Sequence, residues 1–485
     1  MAGNGIIALS IAWELKKRAP KLRIVVVGPF DRTGAGSMAA GAMLGCFAEV
    51  THSSLRSAAG KEKFKLGRLA STAWESWIDE LNEETTWAGR LVPNCGTVVI
   101  ENAISDTLDS DNYDAIVRTL REFDEPYEYI SPRQIEGIRP VPSARPMRAV
   151  FLPNEHSINS RNVLDALQSI LEEQGVEFFD QYCIGIDGTG PSVSGVGLRS
   201  GEHIHAGTVV CAAGAFTTPI LDTVIDPAQV QPVFAGTGVA FVSDRSDRKK
   251  VPRHTVRSVN RAGSCGLHVV RLDGGQDYIG ATNAIFDRPS SKATAGLSHF
   301  LLQCAIDQLD QWYAHANIDH WRVGNRPVTL DSFPLVGASG VDGLFIATGT
   351  YRDGFHLAPI IARIIADEIQ NGASGIAHPF RPTRPPISVF SIDESLAECS
   401  RHTISTGFED SLVLPRLWPD DVIRAALPTV DERIYDALGT RYGLSPDLLP
   451  FLNANMKSAR PQAFNRARLV LNVRGASQDM PDDQS

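Results

Sequence analysis

Apolar side chains recur at helical spacing close to the start of the chain. The stretch from Ile6 to Arg18 predicts a helix, because its apolar residues fall on one face: Ile7, Ile11, Ala12 and Leu15. A continuous apolar run rich in β-branched residues then predicts a buried parallel strand from Leu22 to Val27. Helix and strand together are the second half of a βαβ unit, whose first strand would precede Gly3. Only Met1 and Ala2 lie there, so the first strand is apparently missing.

Further along, the hydrophobic pattern changes between two periodicities. Helical spacing and short apolar runs predict more helices and buried strands at residues 66–81, 162–174, 176–179, 207–211 and 343–369. Residues 230–282 instead alternate apolar and polar positions, which is typical of antiparallel sheet, and residues 91–155 mix short strand signals with turns. The chain therefore predicts an α/β fold, more exactly described as α+β with two domains, in which a sheet-rich domain is inserted into a Rossmann-like one.

The same pattern gives the domain boundaries. The Rossmann-like domain is predicted to be discontinuous, over residues 1–90, 155–225 and 320–372, and the inserted antiparallel-sheet domain to cover residues 91–154 and 226–319. Prolines predict a linker at residues 373–386. Residues 387–485 then predict a mostly helical C-terminal appendage with a disordered tail from Gly475, and we expect its removal to leave the dinucleotide site intact.

Composition narrows the class of protein. A net charge of -10, without a sustained basic run, argues against nucleic acid or an anionic membrane as a partner. The 7 cysteines are scattered without metal-ligand spacing, which favours a reduced, metal-free, cytoplasmic protein. The sequence shows neither an export signal nor an apolar run of the roughly 20 residues that a membrane span needs.

The glycine fingerprint Gly3-Asn4-Gly5-Ile6-Ile7-Ala8 carries the first candidate chemistry. Gly3 suits a tight turn, Gly5 allows the backbone to approach a pyrophosphate, and Ala8 permits close packing of helix on strand. The alternative is that the glycines only begin a helix. The apparently missing strand has two explanations. Either the given sequence starts too late, through a misplaced start codon or a shortened chain, or the protein is a degenerate paralogue that does not bind the dinucleotide.

Three segments together are similar to one enzyme family. They are the fingerprint with the loop "GAGSMAAGAML", the segment "VVCAAGAF", and the pair "GNRPVTLDSFPLVG" and "GLFIATGTYRDGFHLAP". From about residue 3 to 370 the chain resembles the FAD-dependent amino-acid oxidases (the DAO family), which include glycine oxidase, D-amino-acid oxidase and monomeric sarcosine oxidase. One departure is that Gly28 stands where the family has an acidic ribose-binding residue, so that Asp31, Arg32 or backbone would serve there.

The resemblance implies an FAD site spread over the whole Rossmann-like domain. The residues it assigns to the cofactor are Gly3, Gly5, Ile7, Ala8, Ser37, Ala39, Ala40, Gly41, Met43, Ile184, Ala213, Gly214, Gly349, Arg352, Asp353, Gly354, Phe355, His356 and Leu357. The FAD should be non-covalent, because the cysteine to which sarcosine oxidases attach it lies near the "TLDSFPLVG" region, and this chain has none there.

The resemblance also implies three catalytic candidates. Arg326 matches the arginine that clamps the substrate carboxylate, and Arg352 matches a second active-site arginine of glycine-oxidase-like members. His356 would interact with the flavin carbonyl or an anionic substrate. The alternatives are structural ion pairs for the arginines and an ordinary helix-start histidine. The tyrosine that helps glycine oxidases to hold the carboxylate is not evident, since Leu267 and His268 occupy that stretch.

The expected activity is oxidation of the C–N bond of an amino acid or amine, with dioxygen as the oxidant of the reduced FAD. The expected partners are the small-molecule substrate and dioxygen, with a homo-oligomer or an electron-accepting partner subunit as further candidates. The alternative function is a non-catalytic or partner-dependent flavoprotein subunit, a dehydrogenase or a scaffold, that retains the fold. A dehydrogenase that uses NAD(P) is less favoured, because the chain has one fingerprint and no second dinucleotide motif.

Overall fold

The computed structural model describes residues 1–189, 191–245, 251–260, 264–412, 422, 432–475 and 477–479. Its helices are Ile6–Arg18, Gly36–Ala39, Ala58–Glu84, Thr107–Glu122, Ser160–Glu173, Thr217–Leu221, Ala295–Cys304, Ala358–Asn371, Ile392–Glu409, Arg433–Leu438, Leu449–Met456 and Gln462–Arg474. The mixed α/β class predicted from the sequence is confirmed. Among the described residues, no helix is long and apolar enough to cross a bilayer.

A parallel sheet forms the centre of the Rossmann-like part. Its strands are Val25–Val27 paired with Glu177–Phe179, and Val209–Cys211 paired with Leu344–Thr348, while Leu335–Ala338 joins the last strand in antiparallel direction. Ala2 is fully buried and forms parallel bridges to both Val27 and Cys211. Met1 and Ala2 thus lie in the place that a first strand takes in a βαβ unit.

The first helix, Ile6–Arg18, is buried on more sides than its apolar stripe predicts. Helices Ala358–Asn371 and Ser160–Glu173 pack on it, and Trp13 meets Trp77 edge to face with ring centroids 4.9 Å apart. The strand that follows is shorter than predicted. It begins at Val25 rather than Leu22, whose side chain is 39% exposed and lies after a turn.

A ten-stranded, mostly antiparallel sheet forms the second layer. Along its path the strands are Gly34–Ala35, Ile318–Val328, Phe234–Asp244, Gln276–Thr282, Ser264–Leu272, Thr255–Ser258, Thr97–Asn102, Pro146–Leu152 and Glu128–Tyr129, and Ala284–Phe286 pairs beside Phe234–Asp244. The antiparallel sheet expected in residues 230–282 is present. The domain boundary predicted at residue 320 falls inside the strand Ile318–Val328. Smaller pairings join Met43–Leu44 to His156–Ser157 and order Cys183–Thr189, Ser192–Leu198 and His203–His205 into a three-stranded sheet.

The part of the chain from residue 387 onward, which we call the C-terminal segment, packs onto the two layers described above. The side chains of Leu438, Leu448 and Leu452 are fully buried in one apolar cluster with Val328 and Leu330 of the sheet region. The predicted helix around "DERIYDALGTRYG" is found at Arg433–Leu438, whereas "DDVIRAAL" lies, except for Val422, outside the described residues.

Two stretches beyond residue 373, in the predicted linker and in the predicted tail, contact other parts of the chain. The proline-rich stretch is tied to the body, since Phe380 is fully buried and Arg384 forms an ion pair with Asp331. Part of the predicted disordered tail is ordered, because Ser477–Gln478 pairs in parallel with Ile387–Ser388. The Asp479 carboxylate also accepts hydrogen bonds from the Ala58 and Ala59 amides at the start of the helix Ala58–Glu84.

Candidate active site

Two adjacent cavities lie where the parallel sheet meets the large sheet. We call the first the main cavity; its lining includes Gly3 to Ile7, Ala35 to Ser37, Ala39, Ala40, Ala212 to Phe216, Gly238 to Ala240, Tyr278, Asn325 to Pro327, and Thr350 to Arg352. The side cavity is lined by Gly45, Cys46, Glu49 to Ser54, Asn260, Tyr351 to Asp353, His356, Leu357, Glu398, His402 and Ser445 to Asp447, among others. Tyr351 and Arg352 line both, so they form the wall between the two cavities.

The glycine fingerprint opens into the main cavity. Gly3 has φ +119°, and a Cβ there would lie 2.4 Å from the Ala212 carbonyl oxygen, so the turn requires glycine. Gly5 is the N-cap of the first helix and has no side-chain cap, while the Ile6 amide donates to Ser37 Oγ at 3.0 Å. The N-cap residue itself thus adds no side chain between the helix and the cavity, and a helix N-terminus at a cavity wall fits a pyrophosphate group.

The departure from the family pattern at Gly28 has a structural explanation. Gly28 packs against Asn4, whose Cγ would lie 2.4 Å from a Cβ at position 28, and Asn4 Nδ2 donates to the Pro29 carbonyl at 2.8 Å. The carboxylate of Asp31 accepts from Thr33 and lies outside the described lining of the main cavity, which Arg32 does line. Arg32 is buried and its Nε donates to the Asn4 carbonyl at 3.0 Å. Of these two residues, the structure therefore places Arg32, not Asp31, in the lining of the main cavity.

The small-residue loop predicted to lie along the flavin ring follows the main cavity. Ser37, Ala39 and Ala40 line it. Gly41 lies behind them, where a Cβ would approach His268 Nε2 to 2.9 Å. Burial lowers the pKa of His268 to about 4, so this imidazole is neutral at ordinary pH.

Both candidate arginines reach the main cavity. Arg326 Nη1 donates to the Thr282 carbonyl at 3.0 Å and to Asn283 Oδ1 at 3.4 Å. Arg352 Nη2 lies 3.3 Å from the Tyr351 hydroxyl and 3.6 Å from Asp447 Oδ2. Two guanidinium groups at one cavity can bind an anion by charge-assisted hydrogen bonds.

His356 lies in the side cavity instead. It is buried, its Nε2–H donates to the Gly67 carbonyl at 2.8 Å, and burial lowers its pKa. This places a neutral imidazole beside the long helix Ala58–Glu84, and Trp74 Nε1 donates to the His356 carbonyl at 2.8 Å.

The other residues assigned to the cofactor divide into three groups. Ile7, Ala213, Gly214, Gly354 and Phe355 line the main cavity, and Asp353 and Leu357 line the side cavity. Those outside the described lining of both cavities are Ala8, Gly41, Met43, Ile184 and Gly349. Ile184 is 53% exposed, although its neighbour Cys183 lines the main cavity.

An acid and arginine pair lies at the side cavity, where the half-buried Glu49 forms part of the lining and the buried Arg257 lies behind it. The Arg257 guanidinium is 1% exposed and contacts Glu49 Oε1, and Asn260 Nδ2 donates to Glu49 Oε2 at 2.7 Å. Burial opposes ionisation, but Arg257 and Asn260 lower the pKa of Glu49 to about 2. Glu49 is therefore a fixed negative charge rather than a proton donor.

Several residues of the site were missed by the sequence reasoning. Tyr278 lines the main cavity from the inserted sheet, Tyr351 separates the cavities, and Asp447 reaches the side cavity from the C-terminal segment. Tyr351 directly precedes Arg352 in the segment "GLFIATGTYRDGFHLAP", and this position next to a candidate arginine is a sequence signal that could have indicated it as a site residue. Asp447 follows no motif, and only the fold brings it to the site.

Comparison with known proteins agrees with this geometry. The family model described as FAD dependent oxidoreductase, DAO, matches residues 2–368, so the chain belongs to the DAO family of FAD-dependent oxidoreductases. It is 27% identical over 398 residues to glycine oxidase from Geobacillus kaustophilus, covering 79% of this chain and 96% of that one. It is also 27% identical to the bifunctional protein ThiO/ThiG from Nostoc sp. strain PCC 7120, over 76% of this chain but only 52% of the relative. The chain thus spans about half the length of that relative.

Solved structures share the fold. The crystal structure of glycine oxidase from G. kaustophilus superposes with a TM-score of 0.64 at 23% identity, covering 79% of this chain and 97% of that one. Iminodiacetate oxidase from Chelativorans sp. BNC1 gives a TM-score of 0.64 at 17% identity, over 78% and 97%. The matched family region ends at residue 368, before the C-terminal segment begins.

Proposed function

We propose that this chain binds FAD without a covalent bond in the main cavity and oxidises the C–N bond of an amino acid. One observation carries the proposal: the N-terminus of the first helix at Gly5 and the side chain of Arg326 line the same cavity. A pyrophosphate at one end and a carboxylate at the other are the anions that these two groups bind.

The cofactor part of the proposal follows from the lining residues. Gly3 and Gly5 would hold the pyrophosphate, Arg32 the ribose end, and the loop Ser37 to Ala40 the ring. A non-covalent site is favoured because the stretch Thr329 to Gly337 contains no cysteine. FAD, when bound, supplies a hydride acceptor.

The chain's own groups orient the substrate. Arg326 would donate two parallel hydrogen bonds to the substrate carboxylate, and Arg352 would add a second positive charge from the cavity wall. The carboxylate held at this end would fix the direction of the α-carbon, which is the main requirement of a hydride transfer. In the balanced reaction, the amino acid loses two electrons and two protons to give an imine, water hydrolyses the imine, and dioxygen is reduced to hydrogen peroxide.

The experiment uses the purified full-length protein with added FAD. We expect the two visible absorbance bands of bound flavin, bleaching of the lower-energy band when substrate is added without oxygen, and peroxide release in air. The screen should include amino acids, N-methyl amino acids and amines without a carboxylate.

Each outcome has a defined meaning. Bleaching by amino acids without peroxide release would replace dioxygen by another electron acceptor, as in the partner-dependent alternative. Absence of flavin bands after addition of FAD would overturn the cofactor assignment and favour the non-catalytic scaffold. A preference for amines that lack a carboxylate would overturn the assignment of Arg326.

A further inference from the structure

A chain of hydrogen bonds connects the C-terminal segment to Arg326. The Tyr351 hydroxyl donates to Asp447 Oδ2 at 2.6 Å, and Asn283 Nδ2 donates to the same hydroxyl oxygen at 2.6 Å. At the far end, Arg326 Nη1 donates to Asn283 Oδ1 at 3.4 Å. We call these four residues the relay.

The chemistry of Asp447 sets the direction of every bond in the relay. A carboxylate oxygen accepts hydrogen bonds, so the Tyr351 proton points toward Asp447 and the Tyr351 oxygen is left to accept from an amide N–H. Asn283 must therefore turn its nitrogen to Tyr351, which turns its carbonyl oxygen toward the Arg326 guanidinium. The reverse orientation would place an N–H against a cation.

Asp447 also acts on the second arginine directly. Its Oδ2 lies 3.6 Å from Arg352 Nη2, and the two side chains are only 16% and 14% exposed. A charge pair this far removed from solvent is screened less than a surface pair. One carboxylate thus contacts Arg352 and, through the relay, influences Arg326.

Two further features show that the relay is held in place. Tyr351 has φ +49°, a conformation that non-glycine residues rarely adopt, and its amide donates to the Pro327 carbonyl at 3.0 Å. Asp447 lies two residues after Ser445, whose hydroxyl is 3.0 Å from the Ser332 hydroxyl, and directly before the buried Leu448. A backbone hydrogen bond therefore holds the Tyr351 end of the contact, and the hydroxyl pair and the buried leucine hold the segment that carries Asp447.

We infer that Asp447 is a positioning residue for substrate binding, and that the C-terminal segment supplies part of the substrate site. The inference rests on the proposed function, in which Arg326 and Arg352 hold a carboxylate. It goes beyond that function because Asp447 lies outside the region matched by the family, residues 2–368. By holding both guanidinium groups in one arrangement, Asp447 would favour ligands that carry a carboxylate over neutral amines.

The test compares Asp447→Asn with the wild type, both saturated with FAD. Asparagine keeps the shape but can donate an N–H to Tyr351, which reverses the hydroxyl and turns the Asn283 amide. We expect the Kd for acetate, measured by the change in flavin absorbance, and the KM for the best amino acid each to rise about tenfold, within the range measured for coupled neighbours. FAD affinity and Tm should stay close to wild type.

Further variants separate positioning from a general loss of structure. Tyr351→Phe should raise the same two constants, and the double variant should resemble the single ones, because both changes break one relay. Asp447→Glu should recover part of the affinity. Asp436→Asn is the matched control, since this acid lies exposed on the helix Arg433–Leu438 of the same segment.

The outcomes distinguish this inference from the proposed function. If the wild type binds FAD and oxidises amino acids but Asp447→Asn leaves Kd and KM unchanged, the inference is wrong and the function stands. A loss of FAD affinity and Tm equal to the loss of acetate binding, in both Asp447→Asn and Tyr351→Phe, would also overturn it in favour of a structural role. Failure of the wild type to bind FAD or oxidise any amino acid would instead overturn the function on which it rests.

Discussion

The hydroxyl of Tyr278 donates a hydrogen bond of 2.8 Å to the carbonyl oxygen of Ala39. Tyr278 belongs to the large sheet, and Ala39 to the small-residue loop that lines the main cavity. The bond therefore fixes the loop to the sheet that carries Arg326. In the proposed function this loop holds the flavin ring and Arg326 holds the substrate carboxylate, and hydride transfer requires that the two keep a fixed relative position.

We expect Tyr278→Phe to weaken FAD binding about fivefold, because a net contribution of about 1 kcal/mol is typical of one hydrogen bond. Fluorescence titration of the apoprotein with FAD measures this. Tyr129→Phe, at a tyrosine that is 55% exposed, is the control. Equal FAD affinity in the Tyr278 variant would show that the loop is held by other contacts.

Arg326→Ala should lower kcat/KM for an amino acid. The lost transition-state stabilisation should be about 2–5 kcal/mol, because a charge-assisted pair with the substrate carboxylate is lost. Flavin content should not change. Arg326→Lys should recover only part of the activity, because an ammonium cannot form the two parallel bonds of a guanidinium. Steady-state peroxide assays give both numbers, and an unchanged kcat/KM in the alanine variant would make Arg326 a structural residue.

Gly3→Ala should abolish or strongly weaken FAD binding. A Cβ at position 3 meets the Ala212 carbonyl oxygen at 2.4 Å, and the positive φ adds strain of about 1–3 kcal/mol. Gly175→Ala is a matched control, because Gly175 also has a positive φ, +75°, but open space around it. Both variants should lose some Tm, and retention of full FAD affinity by Gly3→Ala would contradict the assignment of the fingerprint.

Glu155 should make stability depend on pH. Burial raises its pKa to about 7, although the Phe47 and Ala48 amides donate to it. Because the folded state binds the proton more tightly than the unfolded state, the free energy of unfolding should fall as pH rises from about 4.5 to 7 and level off above.

Glu155→Gln removes this titration. Its stability relative to the wild type should therefore increase across that pH window, by at most about 3 kcal/mol. Urea unfolding at several pH values measures the difference. A constant difference between the two proteins from pH 4.5 to 7.5 would show that folding does not raise the pKa of Glu155.

Leu452→Ala should lower the free energy of unfolding by about 2–5 kcal/mol, because Leu452 is fully buried in the cluster shared with Val328 and Leu330. Leu469→Ala, at a leucine that is 41% exposed, should cost little. Because the C-terminal segment and the sheet region share this core, we expect the release of flavin and the loss of the helical circular-dichroism signal to occur at the same urea concentration. A separate, earlier unfolding of the C-terminal segment would support the independent appendage expected from the sequence.

Local signals explain which elements could be predicted. The helix Ile6–Arg18 and the antiparallel strands after Val230 follow from periodicity over many residues, which tertiary contacts reinforce. The apolar run from Leu22 predicts a strand that begins three residues too early, because an apolar run does not show where a strand begins. The order of Ser477–Gln478 was missed because a polar segment becomes a strand only when a partner, here Ile387–Ser388, offers its backbone.

By itself, the sequence determined the α/β class and the glycine turn at Gly3 and Gly5, because these depend on residue type and short spacing. The two candidate arginines, Arg326 and Arg352, came from the resemblance of their segments to the family. Only the tertiary structure decided that Arg32 rather than Asp31 meets the main cavity, that His356 lies in the side cavity, and that Asp447 reaches Tyr351. Positions 351 and 447 are far apart in the chain, and no local pattern encodes their contact. It is formed because the C-terminal segment buries its leucines against the sheet region and thereby carries one carboxylate to the wall of the site.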